Sequence, residues 1–254
     1  MSGHSKWATT KHKKAAADAK RSALFSKHSK NITVAAKMGG DPNPDNNAGL
    51  AAAIARARMV SMPNAKIKAA IDKAFGSGAE ATVYENITYE GYGPAGVAIY
   101  VECLTDNKNR TAADVRSAFT HANGNLGTAG SVAFQFDRKG KIAISKDAAP
   151  DEDELMLAVA EAGAEDYEDA GDEWIVLTDY ADLSNVVQQL EEQGVAVKGS
   201  ELTMIASNPT EVSVADAKKV QRLVDRLDDL EDVQTVYDTM LVTEEIAEAL
   251  EQED

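Results

Sequence analysis

At 254 residues, with 44% hydrophobic and 27% charged content, the chain has the make-up of an ordinary soluble globular protein of two or three domains. A lone cysteine, Cys103, excludes an internal disulfide framework, and no apolar run approaches the roughly 18 to 20 residues that span a bilayer. The net charge of −16 conceals a split: residues 1–75 hold 14 Lys and Arg against 4 Asp and Glu, while residues 76–254 hold 12 against 38. A cationic head fused to an anionic body points to a polyanion partner for the head, because the field of the body repels phosphate.

The N-terminus MSGHSKWATTKHKK is basic with no apolar run behind it, unlike a secretory signal, and a cytoplasmic protein is expected. From Thr9 to Met38 there is no Gly or Pro, and the helix formers Ala and Lys dominate. Gly39-Gly40 and the Asp-Pro-Asn-Pro of 41–44 supply the stop. Leu24, Phe25, Ile32, Ala35 and Ala36 give the second half of this helix an apolar stripe. Residues 5–21 offer only alanines and Trp7, so that half is expected to stay exposed until something docks on it. Two shorter helices follow, 48–60 capped by Asn46 or Asn47 and 64–75 begun by Pro63, before Gly76-Ser77-Gly78 breaks the chain.

Beyond residue 78 the apolar period changes from helical to two. Residues 83–90 and 96–104 read as strands, 111–122 as a helix with Val115, Ala118, Phe119 and Ala122 inward, and Ser131–Phe136 as a strand. Between 139 and 206 the order is strand, helix, strand, strand, helix, strand, the split βαββαβ pattern of ferredoxin-like domains. From 211 the chain reads strand, helix, strand (232–238), and 243–254 forms a short acidic amphipathic helix. The predicted fold is α+β, an all-helical N-terminal domain followed by two αβ (ferredoxin-like) domains, one inserted in the other. The expected boundaries are 1–78 for the head, 79–137 with 207–254 for a discontinuous αβ domain, and 138–206 for the insertion.

The candidate nucleic-acid contacts begin with GHSKW at 3–7, which supplies His4, Ser5, Lys6 and Trp7, and continue with Lys11, His12, Lys13, Lys14, Lys20, Arg21 and Lys27. Lys6, Lys13, Lys20 and Lys27 recur every seven residues, so on a continuous helix they drift only about 20° per step and form one ridge of ammonium groups. Such a ridge meets phosphates by counterion release, and Trp7 can stack on an unpaired base. A second candidate is CLTDNKNRT at 103–111. Its Thr, Asp and Asn residues are helix caps, but Lys108 and Arg110 at a helix N-terminus would also form an anion site, and both readings stand. The glycine-rich GYGPAG (91–96) and GNLGTAGS (124–131) lack the Lys-Ser/Thr ending of a phosphate loop and precede strands. They read as turns, with nucleic-acid-facing loops as the alternative. HExxH, CxxC and GxSxG do not occur, four scattered histidines give no metal spacing, and Cys103 shares a strand face with Val97, Ile99 and Val101. No catalytic residue and no cofactor are expected.

Together, GHSKW, KHKKAAADAKR (11–21), YEGYGPAG (89–96), CLTDNKNRT and GNLGTAGSVAF (124–134) closely resemble the YebC/PmpR family across essentially the full chain. The resemblance implies a three-domain protein with a helical head and two αβ domains, one interrupting the other. It implies one of two roles: DNA-binding transcriptional regulator, or translation factor that acts on the ribosome and helps difficult sequences such as proline runs through peptide-bond formation. The residues favour the second. Arg21 is the only arginine before residue 56, and a Lys/Ala-rich helix contacts backbone without reading base edges. Lysines, histidines and one tryptophan suit irregular RNA with splayed bases. The expected partners are ribosomal RNA and tRNA, with DNA as the alternative and no membrane, and the chain is expected to act as a monomer.

Overall fold

Asn47 shows how the head is built from short polar signals. In the computed structural model its Oδ1 accepts the Leu50 N–H at 3.0 Å, and its Nδ2 donates to the carbonyls of Ala35 (3.1 Å) and Asp41 (3.2 Å). One side chain thus caps helix α2 (Ala48–Met59) and ties it to the end of helix α1 (Ala17–Gly39). The structure describes residues 17–76, 83–149 and 151–252. Gly39 leaves room for the Asn47 amide where a Cβ would collide with it, and Gly40 ends α1 in the left-handed region at φ +67°. Helix α3 (Asn64–Phe75) starts after Pro63. Phe25, Ile32 and Ala36 of α1 meet Leu50, Ile54 and Ala57 of α2 and Ile67, Ala70 and Ala74 of α3 in a continuous apolar core. Inside it, the Thr33 hydroxyl donates to the Ala70 carbonyl at 2.9 Å, a buried link from α1 to α3.

Strands β1 (Glu85–Tyr92) and β2 (Ala98–Thr105) form an antiparallel hairpin that pairs Glu85 with Thr105 and Tyr92 with Ala98. Helix α4 (Lys108–His121) follows, then the two-residue strand β3 (Asn125–Leu126) against the end of β1. Much later, helix α7 (Val214–Asp228) leads into strand β8 (Val233–Asp238), and the sheet order is β3-β1-β2-β8. Gly91 faces Phe119 of α4 and Gly93 faces Leu223 of α7. Since residues two apart share a strand face, both helices lie on one side of this sheet.

The second sheet holds strands β4 (Phe136–Ser145), β5 (Asp166–Asp169), β6 (Glu173–Asp179) and β7 (Val197–Ala206) in the order β5-β6-β4-β7, with every pairing antiparallel. With helices α5 (Glu152–Glu161) and α6 (Leu183–Glu192) this is the ferredoxin-like arrangement. Ile142 and Ile144 of β4, Trp174 and Val176 of β6, Leu155 and Val159 of α5, and Val186 and Leu190 of α6 make its core.

The chain divides into two compact units by internal contacts. One contains, among described residues, 17–76, 83–132 and 219–236, that is, helices α1 to α3 and most of the first sheet. The other contains, among described residues, 133–218 and 237–252. Within the second unit, residues 207–218 and 237–252 meet through a parallel bridge between Thr210 and Met240, and helix α8 (Glu244–Glu251), capped by Thr243, buries Ile246 and Leu250. The fold class is α+β as expected. Two local expectations differ. Ser131–Phe136 is a turn and a short 3-10 segment with strand only from Phe136 onward, and no strand forms at 211. No helix among the described residues is long and apolar enough to cross a membrane.

Candidate nucleic-acid interface

Of the residues singled out in sequence, His4, Ser5, Lys6, Trp7, Lys11, His12, Lys13 and Lys14 lie outside the described residues. Lys20 and Arg21 fall near the start of α1. The remaining three can be followed to their partners.

Lys27 is half-buried and turned toward its own body. Its Nζ donates to the Asp228 carbonyl at 2.7 Å and lies 3.9 Å from Asp228 Oδ1. Burial pushes its pKa down, against the charges of Asp228 and Asp229. Seven-residue spacing places Lys27 on one line with Lys6, Lys13 and Lys20, but it cannot show that a carboxylate far along the chain stands opposite the last of them.

Arg110 is drawn into a polar hub. Asp232, at the turn between α7 and β8, is 4% exposed and accepts from Arg110 Nε (3.1 Å) and Nη2 (2.7 Å) and from Lys30 Nζ (2.9 Å). The Thr111 and Thr105 hydroxyls complete the set at 2.8 and 3.2 Å. Burial alone would raise the Asp232 pKa. The hydrogen bonds from Lys30, Arg110 and Thr111 outweigh it and hold the carboxyl at about 2. Arg110 is held charged by Asp232 and then Asp106, whose Oδ1 it also reaches at 2.9 Å. Asn107 caps α4, accepting the Arg110 N–H at 3.1 Å, as the capping reading expects, while the Arg110 guanidinium is engaged by the chain's own Asp232. Lys108 forms an exposed pair with Glu85 at 2.6 Å.

The glycine-rich turns are also bound internally. The Glu90 carboxylate, 5% exposed, accepts the N–H groups of Gly130 (2.7 Å) and Val132 (2.8 Å), and its carbonyl accepts that of Gly127 (2.7 Å). The 124–131 loop therefore closes over a strand carboxylate. At 91–96, Ala95 and Gly96 take positive φ to turn the hairpin. Cys103 is buried, and burial first, then Asp232, raises its thiol pKa to about 12, which leaves it unreactive.

Cations that the sequence reading passed over are nonetheless at the surface. Arg56 and Arg58 on α2 and Lys66, Lys68 and Lys73 on α3 are exposed, with Lys66 packed 4.8 Å over the Phe25 ring. Their signal was the +10 balance of the whole head, which does not end with α1. Lys219, Arg222 and Arg226 on α7 are exposed as well.

Comparison with known proteins gives a consistent picture. A family model described as the TACO1/YebC protein N-terminal domain matches residues 5–77, and one described as the TACO1/YebC second and third domain matches 84–240. A relative in Bifidobacterium longum, named "Probable transcriptional regulatory protein", is 49% identical over 253 residues and covers both chains completely. Relatives of the same designation in Desulforapulum autotrophicum (50% identical, 98% of this chain and 100% of the relative) and Rubrobacter xylanophilus (49%, 97% and 98%) are equally similar. The crystal structure of a conserved hypothetical protein from Aquifex aeolicus superposes with a TM-score of 0.81 at 39% identity, covering 93% of this chain and 96% of that one. With matched models across head and body and relatives of this identity over its whole length, the chain belongs to the TACO1/YebC family.

Proposed function

We propose that the protein is a non-enzymatic, nucleic-acid-binding regulator of gene expression that works on the ribosome. In this reading the basic N-terminal domain contacts ribosomal RNA and tRNA and places the αβ domains so that difficult peptide-bond formation, as in proline runs, is eased. The observation that carries it is the charge split, with a +10 head before residue 76 and a −26 body after it. Supporting it, the described part of the head keeps five exposed cations on α2 and α3, while Lys27 and Lys30 of α1 are turned to Asp228 and Asp232. The head thus has a docked side and a cationic side. We further propose three domains, 1–78, 79–137 with 207–254, and 138–206, supported by the pairing order that brings β8 beside β2. The protein acts as a cytoplasmic monomer.

A second reading has an observation in its favour. The relatives carry the designation of transcriptional regulators, so DNA is the competing polyanion. Ultraviolet crosslinking in growing cells, with sequencing of both RNA and DNA attached to the purified protein, separates the two. Ribosomal RNA and tRNA crosslinks to the 3–30 segment are the expected result. Discrete promoter DNA with RNA at background would establish the transcriptional role instead.

A further inference from the structure

Because α4 and α7 lie side by side on one face of the first sheet, a groove runs between the end of one and the exposed edge of the other. It has a volume of about 360 Å³ and is lined by His121, Ala122 and Asn123 from α4 and its C-terminal turn, and by Lys219, Arg222 and Arg226 from α7. The three cations stand at i, i+3 and i+7, within one 60° sector of the helix at 100° per residue, beside the buried stripe of Val220, Leu223 and Leu227. At about 1.5 Å per residue they extend about 10 Å along the axis, enough to meet successive phosphates of one strand. They form this row in a body that holds only 12 cations against 38 acids. The acid nearest in sequence, Asp225, accepts from Gln221 Nε2 at 2.9 Å. Lys219 and Arg222 have partners of their own within the chain, so binding here competes with existing interactions.

We propose that this groove binds the sugar–phosphate backbone of an RNA strand, a second contact in addition to the N-terminal helix. The inference rests on the nucleic-acid reading above and adds a place and a substrate class to it. Arginine forks match phosphate oxygens in a bidentate manner. On the opposite wall, His121 Nδ1 lies 2.7 Å from the Ser117 carbonyl, which can only accept, so Nδ1 donates there and the ring offers its Nε2 edge to a ligand. The Asn123 amide adds both donor and acceptor groups. Groups of this kind suit a ribose 2′-hydroxyl, which donates and accepts, and DNA does not offer one.

The test is binding of a mixed-sequence single-stranded RNA, and of the DNA of the same sequence, to the full chain over a range of salt. The double variant R222Q/R226Q is compared with a head variant, K6Q/K13Q/K20Q. Both arginines are exposed, so the melting temperature should stay within a few degrees of the parent's. If it does not, K219Q/R226Q carries the same test. The groove variant is expected to lose at least about tenfold in RNA affinity, and its plot of log K against log salt to flatten by about 1.4, which is two single-strand phosphate contacts. Its loss on DNA should be smaller. Unchanged RNA binding by the groove variant, with loss in the head variant, overturns the groove and leaves the proposed function standing. Unchanged binding by both variants overturns the nucleic-acid reading itself. Equal losses on RNA and DNA overturn the assignment to RNA, and loss of binding to an acidic peptide with RNA binding intact makes the groove a protein-docking surface.

Discussion

In the unit built, among described residues, from 17–76, 83–132 and 219–236, charge is taken inside: Lys30 and Asp232 meet with side chains 9% and 5% exposed, and Arg110, Thr105 and Thr111 bond to Asp232. In the unit built from 133–218 and 237–252, the ion pairs Lys139–Glu165, Lys141–Glu201, Lys146–Asp169 and Lys198–Glu173 link the strands of the sheet and their flanking turns with at least one partner well exposed, and the core between sheet and helices is apolar. The same residue types therefore have two kinds of consequence. A desolvated carboxylate with five donors tolerates one arrangement of its neighbours, so Asp232 fixes α1, the β2–α4 turn and the α7–β8 turn against each other. Solvated pairs fix little, because water replaces either partner at small cost. This explains why the motif 103–111, read from sequence as a helix cap or an anion site, is a joint within the protein.

The contrast is tested most severely by Asp232→Ala. It leaves the buried Lys30 ammonium without its carboxylate and should cost about 3–5 kcal/mol, toward the low end because Lys30 also reaches the Leu104 and Glu231 carbonyls. Urea unfolding measures it, and a loss below about 1 kcal/mol would place Asp232 with the solvated pairs and erase the difference between the units. Acid probes the same joint more gently. The folded pKa of about 2 lies below the ordinary value of 3.8, so the stabilisation is fully present above about pH 4 and is lost as pH falls through 2. The amount is about 2 kcal/mol. The difference in stability between parent and Asp232→Asn should shrink across that window, and a constant difference would contradict the assignment. Gly91→Ala comes next. Its Cβ would sit 2.6 Å from the Asn125 carbonyl oxygen and 2.7 Å from the Phe119 ring, where backbone cannot yield, for a cost of about 1–3 kcal/mol by thermal unfolding.

Sequence reading located what depends on neighbours in sequence. The helix expected at 111–122 is Lys108–His121, displaced only by its cap Asn107, and the strands expected at 83–90 and 96–104 are 85–92 and 98–105. The ferredoxin-like order of 139–206 was legible because each element carries its own period. The two-residue strand β3 has no period to read, and the apolar alternation of Ser131–Phe136 imitated a strand in a stretch where Glu90 instead holds the backbone in a turn. The site was less legible for a different reason. Arg110 and Asp232 are separated by 122 residues, and Lys30 and Asp232 by 202, so the acid that claims these cations is visible only once β8 lies beside β2. The row Lys219, Arg222 and Arg226 was present in the sequence at helical spacing. The strongly negative net charge around it masks it.

The smallest effect completes the comparison from the other side. Lys139 and Glu165 in the second unit are 26% and 42% exposed, and their attraction is weakened by water and by the entropy of holding two long side chains together. Lys139→Ala should therefore change stability by about 0–1 kcal/mol, and by less in high salt, where the Debye length falls to about 3 Å at 1 M. Asp232→Ala should keep most of its cost at that salt, because the Asp232 and Lys30 side chains are themselves buried, 5% and 9% exposed. Urea unfolding of both variants at low and high salt checks this directly. A cost for Lys139→Ala that rivals Asp232→Ala and survives salt would mean that the pairs of the second sheet also act as joints, and that burial does not separate the two classes.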